Sequence, residues 1–174
     1  MALAQELGEE TSLDRITRDF HIFQRVRGHR TSTDDLLTAW YATQLPTPPQ
    51  TFLDLGTGIG SVGLSLAWRF PEAKPTVVEV QAVSFRLLRE NLWANGLESR
   101  VRAIHGDLRH SVPPGEQFEL VTGSPPYFDV ANGVVPSAPS NVKTSSIPAA
   151  SAAGSARSSI GPTVIRNRAR AVRS

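Results

Sequence analysis

An acid-led glycine loop, Asp54-Leu55-Gly56-Thr57-Gly58-Ile59-Gly60, separates the apolar run Thr51-Phe52-Leu53 from the helix-length stretch Val62-Gly63-Leu64-Ser65-Leu66-Ala67-Trp68. The natural reading is strand, loop, helix. Glycine at alternate positions lets a backbone come close to a ligand, and the first turn of the following helix offers free N–H groups. An ordinary strand-to-helix turn would use glycine too, so what flanks the loop decides between the two.

The flanks repeat the pattern. Thr31-Ser32-Thr33-Asp34 offers N-cap oxygens, and Leu36, Leu37, Trp40 and Tyr41 recur at helical spacing until Pro46. Pro75-Thr76-Val77-Val78-Glu79-Val80 is a β-branched run followed by a helix over 81–93 that stops at Asn95-Gly96. Residues 101–105 read as a third strand of this series, 108–112 as a short helix or turn, and 118–122 as a fourth strand. Residues 20–30, with Phe20, Ile22, Phe23 and Val26 ending at Gly28, suggest a strand pair or a strand and turn. Alternating strands and helices imply a parallel, doubly wound α/β sheet, with the ligand at the carboxyl ends of its strands.

The loop excludes two common nucleotide sites. A dinucleotide fingerprint needs glycine three positions after Gly58, where Ser61 stands, and there is no phosphate-cradling G-x-x-x-x-G-K-[ST]. With its leading acid, its loop and the acids that follow, the sequence resembles class I S-adenosylmethionine-dependent methyltransferases over about residues 20–130. The resemblance implies a Rossmann-like sheet, here incomplete at about four parallel strands, and S-adenosyl-L-methionine as cofactor. It also implies that Asp54, Gly56, Thr57, Gly58 and Gly60 hold the methionine part. Glu79, 25 residues after Asp54, would accept the ribose hydroxyls, and Asp107 would read the adenine amino group. The chemistry suits the residues: adenosine without phosphate needs carboxylate acceptors rather than lysines.

Ser124-Pro125-Pro126-Tyr127-Phe128 follows the fourth strand of the series. It resembles the Asn/Asp/Ser-Pro-Pro-aromatic loop of those methyltransferases that act on amino nitrogens of adenine, cytosine or glutamine. There a side-chain oxygen and a proline carbonyl accept the two N–H bonds, and the aromatic residue stacks on the planar substrate. Ser124, Pro125, Pro126 and Tyr127 are therefore the catalytic candidates. Serine departs from the more usual asparagine, since a hydroxyl has a shorter reach and can rotate into donating. The segment from Phe23 to Leu37 is similar to its counterpart in bacterial tRNA-valine adenine-N6 methyltransferases and their small-domain relatives. In those proteins a Thr-Asp-x-Leu-Leu element lies over the cofactor, which maps here to Thr33, Asp34, Leu36 and Leu37; a helix cap explains Thr33 and Asp34 as well. Asn91 and Asn95 also fit that group's second helix. Residues 15–30 carry a local charge of +4, which suits RNA phosphates or simple solvation.

Composition divides the chain. Of 174 residues, 1–130 hold all 16 acidic and 12 of the 18 basic ones, giving −4, whereas 131–174 carry +6. The latter stretch has nine Ser, nine Ala and four Pro in 44 residues with no aromatic residue or acid. It is expected to be a disordered basic tail, in which Thr163 to Ile165 is the one stretch that could form a brief strand. The expected organisation is a flexible 1–12, a cofactor-binding methyltransferase domain over 13–130 and the tail over 131–174. A methyltransferase sheet normally has seven strands, so the change after residue 130 is read as a truncated or frame-shifted product whose fourth strand is an exposed edge, though a natural tail or a variant transcript would give the same change. Absence of cysteine excludes disulfides and thiolate chemistry. No apolar run reaches membrane length, so a soluble cytoplasmic protein without membrane or metal partners is the default expectation. The functions in view are methylation of adenine N6 in tRNA, methylation of a protein glutamine, or an inactive cofactor-binding module.

Overall fold

Short β-branched runs alternating with helical stretches become, in the computed structural model, β1 (Thr11–Arg15), β2 (His21–Arg25), α1 (Thr33–Ala42), β3 (Thr51–Leu55) and α2 (Ser61–Arg69). These are followed by β4 (Lys74–Glu79), α3 (Ala82–Ala94), β5 (Arg102–His105), α4 (Leu108–Ser111), β6 (Leu120–Gly123) and β7 (Thr163–Arg166). The structure describes residues 10–28 and 30–124 and the backbone of 163–166. All of these belong to one unit formed by residues 1–125 and 162–174.

The main sheet has the order β5-β4-β3-β6-β7. Its first four strands are parallel, with Asp54 opposite Val77 on one side and Thr122 on the other. Side chains alternate across a sheet. Phe52, Asp54, Val77, Leu120 and Thr122 therefore share one face, where Phe52, Val77 and Leu120 join Leu64, Leu66, Leu87, Leu88 and Leu92 of α2 and α3 in the larger core cluster. Leu53 and Val78 share the other face with Phe118 and Val112, both from the connection between β5 and β6. The chain moves one way through β3, β4 and β5 and then returns to the far side of β3. Right-handed crossovers require such a return connection to lie on the opposite face, as it does. The doubly wound α/β reading thus holds, and the order reverses at β3, between β4 and β6.

Local sequence explains the helix limits. Ser32 caps α1 in a reciprocal capping box with Asp35. Helix α3 ends in a Schellman arrangement, with Gly96 at φ 67°, Leu97 N–H bonding to Leu92 O and Gly96 N–H to Trp93 O.

Two expectations are corrected, and the orientation of α1 is added to them. Strand β1 begins at Thr11, inside the stretch 1–12 expected to be flexible, because it pairs antiparallel with β2. The series Leu36, Leu37, Trp40 and Tyr41 suggested the helix but lies about half exposed; α1 buries Asp35, Thr38, Ala39 and Ala42 instead. Within the segment assigned to a disordered tail, residues 163–166 form β7, antiparallel to β6, so the expected open edge of β6 is paired. The rest of 131–174 lies outside the described residues.

The hairpin β1–β2 is held to the domain by two asparagines. Asn91 accepts from Phe23 N (2.6 Å) and donates to Phe23 O (3.1 Å), while Asn95 accepts from His21 N (2.9 Å) and donates to His21 O (2.7 Å). Two strand residues advance about 6.8 Å and four helix residues about 6 Å, so amides at i and i+4 match a strand edge. Asn91, fully buried, also donates to Ile59 O in the glycine loop (2.9 Å), tying hairpin, α3 and loop together.

Candidate cofactor and substrate site

The glycine loop leaves β3 at the point where the strand order reverses. Gly56 and Gly58 take φ of 65° and 60°, and a Cβ on either would meet nothing within 4 Å. Both therefore face open space, the cradle that a closely approaching ligand requires. Gly60, at φ 99°, serves packing instead: a Cβ there would lie 2.9 Å from Leu88 Cδ1.

Asp54 holds the loop from beneath. Its Oδ2 accepts from Thr57 Oγ1 (2.6 Å), its Oδ1 from Thr122 Oγ1 (2.8 Å), and the backbone N–H of Gly63 bonds to it as well. Burial nevertheless dominates these bonds, with a smaller contribution from the charge of Asp35, and pushes its pKa up to about 6. Asp54 and Thr57 are thus spent on each other, shaping the loop that Gly56 and Gly58 present.

Glu79 ends β4 almost fully buried, at 5% exposure. Its Oε2 accepts from Gly58 N (2.8 Å) and its Oε1 from Gln81 N (2.6 Å). Two oxygens offer about four lone-pair sites, so two remain for a pair of vicinal hydroxyls. Asp107, after β5, caps α4 by accepting from Arg109 N (2.9 Å) and pairs with the Arg109 guanidinium, whose Nε lies 2.9 Å from Oδ1. Hydrogen bonds from that side chain hold the carboxyl well below the usual carboxylate range. Any amine read by Asp107 shares it with Arg109, a competitor whose presence two residues on was legible but not weighed in the sequence.

Ser124 follows β6 directly and lines a narrow cleft of about 20 Å³ together with Asp54, Gly56, Gly58, Ser61 and Asp35. Pro125, Pro126 and Tyr127 lie outside the described residues. The sequence placed Thr33 and Asp34 over this site; the structure leaves Thr33 exposed and Asp34 half-buried, and neither lines the cleft. The residue that does is Asp35, at 6% exposure, because Ser32 caps α1 and a bond between Thr31 Oγ1 and Ser61 Oγ (2.9 Å) fastens its approach to the start of α2. Sequence reasoning missed Asp35, whose signal was the S-x-x-D capping box. It also passed over Val80 and Leu108, large apolar residues left over 40% exposed immediately after Glu79 and Asp107. A larger groove of about 350 Å³ on the outer surface of α3, lined by Arg86, Arg89 and Trp93, shares no residue with this site.

An open glycine cradle, a carboxylate with free acceptor sites beside it and apolar flanks at two strand ends fit an adenosine bearing an amino-acid arm. Among the described residues no basic side chain lines the cleft, and that donor set does not suit phosphate. The comparisons agree. A family model described as methyltransferase small domain matches residues 31–139, well over half of the chain. The chain belongs to the methyltransferase small-domain family. Among curated relatives, it is 32% identical over 115 residues to a tRNA1(Val) (adenine(37)-N6)-methyltransferase of Porphyromonas gingivalis, covering 63% of this chain and 45% of the relative. A protein of the same name in Vibrio cholerae is 30% identical over 112 residues, covering 64% and 45%. A release factor glutamine methyltransferase of Koribacter versatilis is 32% identical over 110 residues, covering 63% and 39%. This small-domain chain thus spans less than half the length of these relatives.

Solved structures bear out the fold. A SAM-dependent methyltransferase from Agrobacterium tumefaciens aligns with a TM-score of 0.54 at 19% identity, over 69% of this chain and 41% of its own. TYW2 of P. horikoshii in complex with MeSAdo aligns at 0.51 and 20% identity, over 64% and 47%. Family and neighbours accord with the cofactor expected from the loop. Among the described residues no group of His, Cys, Asp or Glu could hold a metal ion, and no helix is long and apolar enough to cross a membrane.

Proposed function

We propose that this chain carries the cofactor-holding part of an S-adenosylmethionine-dependent methyltransferase acting on an amino nitrogen, adenine N6 in tRNA being the substrate favoured. The observation that carries the reading is spatial: an open glycine cradle, Glu79 with acceptor capacity to spare, and Ser124 at the end of the neighbouring strand all meet where the sheet order reverses. Bound there, the cofactor supplies a methyl group already activated on a sulfonium. What remains for the protein is alignment. Gly56 and Gly58 admit the amino-acid arm, Glu79 fixes the ribose, and Ser124 with the following Pro125, Pro126 and Tyr127 orients a planar amine.

Two relatives named for adenine methylation in tRNA support the substrate, and so do Arg15 of β1 and Arg27 just after β2, both exposed. The glutamine methyltransferase of Koribacter versatilis, at equal identity, supports a protein amide as the second reading. Transfer of labelled methyl to bulk tRNA, compared with protein extract, tests the proposal. Label recovered as N6-methyladenosine after digestion is expected. Label in protein alone supports the second reading, and none in either, with S-adenosylhomocysteine still bound, supports an inactive module.

A further inference from the structure

Helix α3 turns Leu87, Leu88, Asn91 and Leu92 into the protein, and the site described above makes no use of its outer face. Arg86, Arg89, Glu90 and Trp93 recur there at helical spacing, so they stand one above another along a single stripe. With Glu98, beyond the helix end, they line the groove of about 350 Å³. Trp93 is 65% exposed, more than any other large apolar side chain among the described residues. Ion pairs engage Arg18, Arg30, Arg102 and Arg109, but among the described residues Arg86 and Arg89 make none, although Glu90 lies one turn after Arg86. A base placed before an acid on a helix is the weaker order for such a pair. Nor do the two arginines stand in the last turn, where they would offset the helix dipole. Their donors are open. The stripe also continues toward the basic hairpin: Arg15 stands opposite His21, whose backbone is held by Asn95, two residues past Trp93.

The groove brings together three chemistries that a nucleotide calls on at once. Guanidinium donors suit phosphate oxygens, an exposed indole face stacks on a base, and carboxylates accept from amino groups at a base edge. Its volume is that of a small-ligand cleft. In a duplex the base faces are stacked and the edges paired, so only an unpaired nucleotide offers all three. We propose that the outer face of α3 binds an unpaired nucleotide of the RNA substrate, with its base on Trp93, its amino edge toward Glu90 and Glu98, and neighbouring phosphates on Arg86 and Arg89. The inference rests on the RNA reading above and adds to it a docking surface that shares no residue with the cofactor cleft.

Fluorescence anisotropy on the full chain tests it, with labelled oligocytidylate and oligouridylate of about eight nucleotides and a paired RNA duplex of the same length. Wild type is expected to bind oligocytidylate more tightly than oligouridylate, which lacks the amino group, and both more tightly than the duplex. Trp93→Ala should weaken oligocytidylate by about five- to a hundredfold, and Trp93→Phe should keep most of the affinity. Arg86→Gln together with Arg89→Gln should reduce the slope of log affinity against log salt by about 1.4. Melting temperature and S-adenosylhomocysteine affinity should stay at wild-type values in every variant, because these side chains are exposed. Undiminished oligocytidylate binding by Trp93→Ala would overturn the proposal. So would a wild type that binds the duplex as tightly as the single strands, does not distinguish the two single strands, or binds no probe; these comparisons need no variant. Loss of methyl transfer to protein extract in Trp93→Ala, with oligonucleotide affinity unchanged, would overturn it in favour of a protein-docking face. Trp93-dependent oligonucleotide binding without methyl transfer to tRNA would overturn the substrate reading and leave the surface standing, whereas transfer to tRNA with Trp93-independent binding would overturn the proposal alone.

Discussion

Replacing Asp54 by asparagine isolates the cost of keeping a charge under the glycine loop. Burial raises this carboxyl from 3.8 to about 6 despite bonds from Thr57, Thr122 and Gly63. At about 1.4 kcal/mol per unit, the ionised form costs the fold roughly 3 kcal/mol. The sign follows from proton counting: between the two values the folded protein binds the proton and the unfolded chain has lost it, so stability falls as pH rises from about 4 to about 6. Below pH 4 the group is protonated in both states, and well above 6 it is ionised in both, so the difference is constant at either end. Asparagine keeps an acceptor for one hydroxyl but carries no charge. Urea unfolding of wild type and Asp54→Asn from pH 4 to pH 8 should show the variant gaining about 3 kcal/mol on wild type, mostly by pH 7. Parallel curves, or a wild type that gains with pH, would refute the burial argument; the latter would show Asp54 to be paired with a cation.

Three further outcomes are expected. Asn91→Ala removes three hydrogen bonds that join Phe23 and Ile59 to α3 and should cost about 2–4 kcal/mol in chemical denaturation. Gly60→Ala forces a Cβ to 2.9 Å from Leu88 Cδ1 at a positive φ and should destabilise by about 1–3 kcal/mol, whereas Gly58→Ala, facing open space, should weaken cofactor binding more than its strain lowers the melting temperature. Tyr127→Ala should abolish labelled methyl transfer while leaving S-adenosylhomocysteine affinity near wild type; equal loss of both would remove its stacking role.

The parts of this fold legible in the sequence are those specified locally. The glycine loop, the Asn95-Gly96 stop and the acids at the ends of β4 and β5 are short-range signals, and each stands within a residue or two of its expected place. Strand β1 was not legible, because Thr11-Ser12-Leu13-Asp14-Arg15 lacks an apolar face. Its polar side chains are satisfied at long range, Asp14 by Gln24 and Arg30. Helix α1 was legible from its spacing but its orientation was not: it carries four large apolar residues, yet turns Asp35, Thr38, Ala39 and Ala42 inward. The constraint is the capping box together with the Thr31–Ser61 bond, which fix the helix's rotation before its apolar residues can. The same rotation puts Asp35, rather than Thr33 or Asp34, in the lining of the cleft. Pairing of β7 with β6 joins residues some 40 positions apart, which no local pattern encodes.

Titration of S-adenosylhomocysteine into the full chain, wild type and Glu79→Gln, tests most directly whether this loop and its strand-end acid form a cofactor site. Saturable one-to-one binding is predicted for wild type, with a loss of about tenfold or more when one oxygen of Glu79 becomes a donor and its charge is removed. Absence of binding by wild type, or equal affinity in the variant, would contradict the account.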